Sequence, residues 1–134
     1  MSRLENLEPK EVFHYFEEIS QIPRPSYKEG KISDYLVKFA QDRNLTVYQD
    51  EIKNVVIIKE ATKGYENVEP IIIQGHMDMV CEKEPGYDID MEKEGLTLQV
   101  EGDYLSAKGT TLGGDDGIAV AYALAILDSD KIEH

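Results

Sequence analysis

Apolar residues recur at helical spacing in two stretches near the start of the chain. In residues 8–20 the apolar side chains fall on one face, and Pro9 suits the first position of a helix. Residues 29–42 follow the i, i+3, i+4, i+7, i+8 template of an amphipathic helix. Pro23 and Pro25 separate the two stretches, because a helix cannot continue through two prolines so close together. The pattern predicts two short helices, each with one buried face.

Runs rich in β-branched residues follow these helices. Residues 45–49 and 54–59 predict a hairpin with an acidic turn between its strands, and the polar stretch 60–69 predicts a loop. The run 71–73 consists of three isoleucines, which is typical of a strand buried on both faces.

The second half of the chain predicts an exposed segment, one more hairpin and a last helix. Residues 82–95 are charged and contain glycines, so we expect them at the surface. Residues 96–100 and 104–107 predict the hairpin. Residues 118–127 are alanine-rich and apolar nearly all round, which predicts a helix that is buried on every side. Helices beside a buried strand indicate an α/β sandwich with a mixed sheet.

Composition and charge exclude several classes of protein. Acidic residues outnumber basic ones 27 to 14, giving a formal net charge of −13, so nucleic acid is a disfavoured partner. No apolar run reaches about 18 residues, so no membrane span is expected, and the start lacks the apolar core of a secretory signal. The single cysteine, Cys81, excludes an internal disulfide and fits a reducing, cytoplasmic location. We expect Cys81 to be a small buried apolar residue.

His76 and Asp78 follow directly on the isoleucine run. Ligands of open α/β sheets bind beyond the carboxyl ends of strands, and side chains two residues apart in an extended chain point to the same side. An imidazole can ligate zinc, while a carboxylate beside it can orient the ring. A His-x-Asp triplet alone is weak evidence, because both residues could simply bond to backbone at the end of the strand.

A second candidate segment is Gly113-Gly114-Asp115-Asp116-Gly117, ahead of the last helix. Glycines let a backbone turn sharply and approach another group closely. An acidic N-cap is one explanation of the carboxylates, although a cap needs only one acid. A phosphate is disfavoured because two carboxylates would repel it and no P-loop pattern is present. The sequence therefore predicts a cation as the guest of this turn.

Calcium-binding loops of the EF-hand type are excluded by spacing. A loop starting at Asp88 would place Lys93 where the invariant glycine must stand, and a loop starting at Asp128 would place Glu133 there.

Together the two motifs resemble the metal-site signature of the co-catalytic di-zinc peptidases. His-Met-Asp-Met-Val at 76–80 and Leu-Gly-Gly-Asp-Asp-Gly-Ile-Ala at 112–119 are most similar to the aminoacyl-histidine dipeptidase subfamily, also called peptidase D or cytosol non-specific dipeptidase. Ile-Ser-Gln-Ile-Pro-Arg-Pro-Ser at 19–26 also matches that subfamily. The resemblance implies that residues 1–134 are the N-terminal portion of the catalytic domain, part of an α/β/α sandwich without the family's lid domain.

The resemblance also implies a role for each matching residue. His76 would be a terminal ligand of one zinc, and Asp115 would bridge two zincs. Asp78 would be a catalytic residue that does not bind metal itself but orients His76 and tunes the site. The bond between Asp115 and Asp116 is often cis in such enzymes. The implied cofactors are two divalent metal ions, first of all Zn²⁺, with Co²⁺ or Mn²⁺ as alternatives, which activate a shared water and polarise the scissile carbonyl.

The implied activity of the complete enzyme, a homodimer, is hydrolysis of dipeptides of the Xaa-His type with broad specificity. The family's glutamate general base, its other ligands and its lid have no match here, so we expect a truncated portion that self-associates through exposed edges. Two other interpretations stay open: a non-catalytic acidic domain that binds a partner or divalent cation, and a related acylase or tripeptidase.

Ligand counting generates a first prediction. Because each zinc needs about four ligands including water, the purified 134-residue chain should not hydrolyse an Xaa-His dipeptide. The measurement is hydrolysis with and without added zinc. Zinc-dependent cleavage by this chain would contradict the expectation, and light scattering from a compact monomer would contradict self-association.

Overall fold

The computed structural model describes residues 3–134, which form a mixed α/β fold as the sequence predicts. Within these residues the elements, in chain order, are α1 Lys10–Ser20, α2 Gly30–Asp42, β1 Thr46–Gln49, β2 Val55–Ile58, β3 Leu98–Glu101, β4 Tyr104–Ala107 and α3 Gly114–Asp128. None of these helices combines the length and the apolar character needed to cross a bilayer.

The two predicted hairpins are both present. β1 pairs antiparallel with β2, with Thr46 opposite Ile58, and β3 pairs antiparallel with β4, with Leu98 opposite Ala107. Each hairpin is a separate two-stranded sheet among the described residues. The predicted loop at 60–69 also lies outside every helix and strand.

The predicted buried strand at 71–73 is wrong. The three isoleucines belong to no strand, and all are exposed, Ile72 with 89% of its surface accessible. A strand exists only where a neighbour pairs its backbone N–H and C=O groups, and no strand of residues 3–134 pairs with this run. Apolar composition therefore predicted burial that no neighbouring element supplies here.

The core lies between α1, α2 and the inner face of α3. α1 packs directly along α3, and the amphipathic faces predicted for α1 and α2 are both turned inward. The buried side chains of these helices include Val12, Phe16, Ile19, Ile32, Leu36, Phe39, Val120, Ala121 and Leu124.

The prediction that the last helix is buried on every side is also wrong. α3 buries Val120, Ala121 and Leu124, whereas Ile118 and Tyr122 on another side are exposed. α1 covers only one side of a helix that is apolar all round, so its remaining apolar side chains meet solvent. The segment 82–95 is largely exposed as expected, although Ile89 is buried, and Cys81 is half-buried rather than fully enclosed.

A polar cluster ties the carboxyl ends of α2 and α3 to α1. The Tyr15 hydroxyl donates to Asp128 Oδ2 at 2.6 Å, and Arg43 Nε donates to Asp128 Oδ1 at 2.6 Å. Arg43 also lies 3.7 Å above the centre of the Phe39 ring. The hydrogen bond from Tyr15, followed by that from Arg43, lowers the pKa of Asp128 below its ordinary value of 3.8.

This cluster predicts how stability depends on pH. A carboxyl whose pKa is lowered on folding stabilises the fold above its unfolded pKa, and that contribution is lost as pH falls through the folded pKa. Asp128→Asn should therefore lower the melting temperature at neutral pH, and the difference from wild type should shrink as the pH drops below about 4.

Asp42→Asn is the matched control, because Asp42 is an exposed carboxylate at the end of α2 that pairs with Lys38. We expect it to change the melting temperature little, as exposed pairs contribute only about 0–1 kcal/mol. A difference between wild type and Asp128→Asn that stays constant over the whole pH range would contradict this assignment.

Candidate metal centre

The segment 75–79 follows an extended path beside Arg24 and Pro25. Met79 N donates to the Arg24 carbonyl at 2.9 Å, and Pro25 and Met79 form an isolated parallel bridge. On the other side Thr111 Oγ1 donates to the Val80 carbonyl at 2.7 Å. The segment is thus held between two other parts of the chain, although it is not in a regular sheet.

The side chains of His76 and Asp78 lie on one side of this segment and touch, as the extended spacing predicts. His76 Nδ1 lies 3.1 Å from Asp78 Oδ1 and 3.1 Å from the Asp78 carbonyl oxygen. Ser26 Oγ donates to Asp78 Oδ2 at 2.5 Å, so both oxygens of this carboxylate have a partner.

The glycine-rich turn enters α3 through an irregular first turn. Gly113 has a φ of 73°, and Asp115 and Asp116 have non-helical dihedral angles within the first turn of α3. The bond between Asp115 and Asp116 is cis, as the resemblance implies. No side-chain hydrogen bond caps the helix, so neither carboxylate acts as the acidic N-cap considered as the alternative.

The two acids of this turn contact different groups of His76. Asp116 Oδ2 accepts the backbone N–H of His76 at 3.2 Å, and a side chain on Gly75 would lie 2.9 Å from that oxygen. The Asp115 side chain is 95% exposed, and its Oδ1 lies 3.0 Å from His76 Nε2. The structure therefore brings all three residues singled out from the sequence, His76, Asp78 and Asp115, into one cluster.

The two ring nitrogens of His76 each face a carboxylate. Partial burial acts to lower the pKa of His76, but the hydrogen bond to Asp115 and the interactions with Asp78 outweigh it and raise the pKa above 6.5. When Nδ1 donates to Asp78, Nε2 and Asp115 repel each other unless a cation lies between them. A proton on Nε2 is one such cation, and a metal ion is another.

The environment of Asp78 favours its ionised form. The hydrogen bond from Ser26 is the main cause that lowers the pKa of Asp78, and the neighbouring His76 acts in the same direction. A carboxylate that is always ionised at neutral pH can hold the Nδ1 proton and thereby fix which nitrogen of His76 faces Asp115.

The sequence did not single out Arg24, which lies at the centre of this arrangement. Its side chain is 1% exposed, and its Nη1 and Nη2 donate to the carbonyls of Met77 at 3.1 Å and Gly113 at 2.9 Å. A side chain on Gly113 or Gly117 would lie 2.6 or 2.7 Å from Arg24 Nη2. On this side the glycine-rich turn contacts the guanidinium of Arg24, which bonds to a backbone carbonyl and not to the carboxylates of the turn. The cation predicted for those carboxylates stays a prediction.

Two of the donors in this cluster suit a metal ion. Zinc binds imidazole nitrogen and carboxylate oxygen at about 2.0–2.2 Å, so two ligands of one tetrahedral zinc lie about 3.3 Å apart. The 3.0 Å between His76 Nε2 and Asp115 Oδ1 is close to that separation. Among residues 3–134 no three or more His, Cys, Asp or Glu side chains form a group that could hold a metal ion. His76 and Asp115 therefore fit part of a ligand set.

The chain is similar along its whole length to known dipeptidases. It is 38% identical over 134 residues to the cytosol non-specific dipeptidase of Escherichia coli strain K12, a match that covers 100% of this chain and 28% of that protein. It superposes on the crystal structure of aminoacylhistidine dipeptidase from Vibrio alginolyticus with a TM-score of 0.95 and 38% identity, covering 99% of this chain and 27% of that one. The subfamily resemblance seen in the motifs is thus confirmed.

A more distant likeness concerns the fold alone. A tripeptidase from Staphylococcus aureus gives a TM-score of 0.64 at 23% identity, covering 88% of this chain and 31% of that chain. No protein-family model matches the chain. The chain spans less than a third of the length of each of these three peptidases.

The contact between Arg24 and the glycine-rich turn generates a prediction about stability. Gly117→Ala would place a methyl group 2.7 Å from Arg24 Nη2 and 3.3 Å from Phe16, so one of them must move. We expect the free energy of unfolding to fall by about 1–3 kcal/mol, the usual cost of overpacking. Denaturant unfolding measures it.

Gly114→Ala is the matched control in the same turn. The nearest atom to its added methyl group would be Leu112 Cδ2 at 3.9 Å, an ordinary contact, so we expect little loss of stability. Equal losses for the two variants would contradict the role given to Gly117.

Proposed function

We propose that this chain, similar along its whole length to two dipeptidases, carries part of the metal site of a di-zinc dipeptidase. The 38% identity spread over the full chain supports a peptidase, and the zinc site is our proposal for its chemistry. In this proposal residues 1–134 are the N-terminal portion of the catalytic domain.

One observation carries the proposal: the ring of His76 is held between two carboxylates by both of its nitrogens. Asp78 is 3.1 Å from Nδ1 and Asp115 is 3.0 Å from Nε2. A zinc-bound histidine usually has a carboxylate on the nitrogen that does not bind the metal, which is the place of Asp78 beside Nδ1, while Nε2 faces Asp115, the second proposed ligand. The Asp115 side chain is 95% exposed, so its second oxygen is accessible to a second metal ion.

The residues of this chain have distinct tasks in the proposed reaction. His76 Nε2 and Asp115 would hold the metals, and two bound zinc ions would lower the pKa of a shared water and polarise the peptide carbonyl. Asp78 would accept the hydrogen bond from the Nδ1 proton of His76 and so leave the lone pair of Nε2 to the metal. Ser26 fixes Asp78 in turn by donating to its second oxygen. The proton transfers of hydrolysis need a general base that these residues do not provide.

The substrates and the oligomeric state are a further part of the proposal. We propose dipeptides, including the Xaa-His type, as substrates of the complete protein, and a homodimer in the cytoplasm as its state. The surplus of acidic residues, with a formal net charge of −13, disfavours nucleic acid as a partner.

Replacing the proposed ligands tests this function in the complete protein that contains the chain. His76→Ala and Asp115→Ala should each abolish stoichiometric zinc binding and dipeptide hydrolysis, because each removes a direct donor. Asp78→Ala should weaken zinc binding by about 10–100-fold, the usual effect of losing the residue that orients a zinc-bound histidine. Metal analysis after dialysis and hydrolysis of Xaa-His dipeptides are the measurements.

His14→Ala is the matched control, because His14 is an exposed histidine on α1 that pairs with Glu18. It should leave zinc content and activity unchanged. A wild-type protein that binds no zinc would contradict the proposal, as would a His76→Ala variant that binds as much zinc as wild type. Either result would favour a non-catalytic acidic domain.

A further inference from the structure

The guanidinium of Arg24 joins the two segments that carry the candidate metal ligands. Nη1 donates to the carbonyl of Met77, which lies between His76 and Asp78, and Nη2 donates to the carbonyl of Gly113, two residues before Asp115. The Asp78 carbonyl lies 3.5 Å from Nη1. One planar group therefore contacts the backbone beside His76 and the backbone beside Asp115.

The backbone of the same residue supports the arrangement. The Arg24 carbonyl accepts the N–H of Met79 at 2.9 Å, so the segment 77–79 meets Arg24 through both its main chain and its side chain. The Met79 side chain also lies against Gly113, where the same added Cβ that would meet Arg24 Nη2 would meet the Met79 sulfur at 2.6 Å. Little space remains for the two segments to shift against each other.

Arg24 is an unusual residue to bury at this place. Its side chain is 1% exposed, and the charge of Asp78 acts on it without a salt bridge between the two described residues. Its Nε has no hydrogen-bond partner in the described part of the chain. A buried charge with only partial compensation destabilises a fold, so packing alone does not explain it. An apolar side chain would fill the space but could not bond to two carbonyls at once.

We infer that Arg24 is a positioning residue that sets the distance between His76 and Asp115 and thereby the affinity of the site for metal. The inference rests on the proposed function as far as the metal is concerned. The distance between His76 and Asp115 can be measured without any metal. The planar guanidinium has donors in a fixed fork, so the spacing of the two carbonyls is defined by one rigid group. Displacement of either carbonyl carries a ligand with it, since each is within two residues of His76 or Asp115.

The test compares two arginines in the complete protein. Arg24→Met keeps the length of the side chain and removes the fork, whereas Arg43→Met removes the arginine that bonds to Asp128 and lies away from the ligands. We expect Arg24→Met to weaken zinc binding by about 10–100-fold and to lower kcat with little change in KM. Arg43→Met should lower the melting temperature but leave zinc affinity and kcat at wild-type values.

Arg24→Lys keeps the buried positive charge but has one nitrogen where arginine has two donors to the carbonyls. It should fold at least as well as Arg24→Met and still bind zinc more weakly than wild type. Zinc affinity equal to wild type in Arg24→Lys would overturn the inference. The positive charge, and not the two donors of the guanidinium, would then determine the affinity. If Arg24→Met does not fold, Arg24→Lys alone decides the question.

A crystal structure of the metal-free Arg24→Lys protein separates this inference from the proposed function. The distance between His76 Nε2 and Asp115 Oδ1 should increase from 3.0 Å. An unchanged distance, or zinc affinity equal to wild type in a protein that binds zinc through His76, would overturn the role of Arg24 alone. If wild type binds no zinc, the proposed function fails, and the distance in the variant still decides whether Arg24 positions the two residues.

Discussion

The two hydrogen bonds from the buried guanidinium of Arg24 hold the candidate site together. His76 and Asp115 lie on segments far apart in the chain, and neither segment belongs to a sheet within residues 3–134. In place of hydrogen bonds between strands, Arg24 donates to the carbonyls of Met77 and Gly113. Gly113 and Gly117 lack side chains at the points where one would collide with the guanidinium. The glycine-rich motif thus has two functions in the fold. It leaves space for the guanidinium of Arg24, and it places Asp115 beside His76.

Polar contacts set the properties of His76 more than burial does. Its ring is half-exposed, yet a carboxylate faces each nitrogen, so the pKa is raised despite the opposing effect of desolvation. Asp78 is itself fixed by Ser26, which gives a chain of contacts from the start of the chain to the imidazole. The two carboxylates therefore favour a positive charge on the imidazole.

The two wrong predictions of a buried strand and a fully buried helix have one physical cause. The isoleucines at 71–73 and the outer side of α3, with Ile118 and Tyr122, are apolar enough to predict a core, yet they are exposed. An apolar face is buried only when another part of the protein packs against it. The spacing of apolar residues describes that face and not its partner. The hairpins and amphipathic helices were predicted well because their partners are close in the chain, so local spacing contains the information that forms them.

The sequence by itself determined the mixed α/β class, the two hairpins, the inner faces of α1 and α2, and the residues His76, Asp78 and Asp115. These follow from local periodicity or from motifs whose chemistry depends on residue type. Only the tertiary structure decided that Asp78 faces Nδ1 and Asp115 faces Nε2, and that Arg24 lies between their segments. An arginine between two prolines gives no local signal of burial, because its partners are carbonyls about 50 and 90 residues away, and carbonyls have no signature in a sequence.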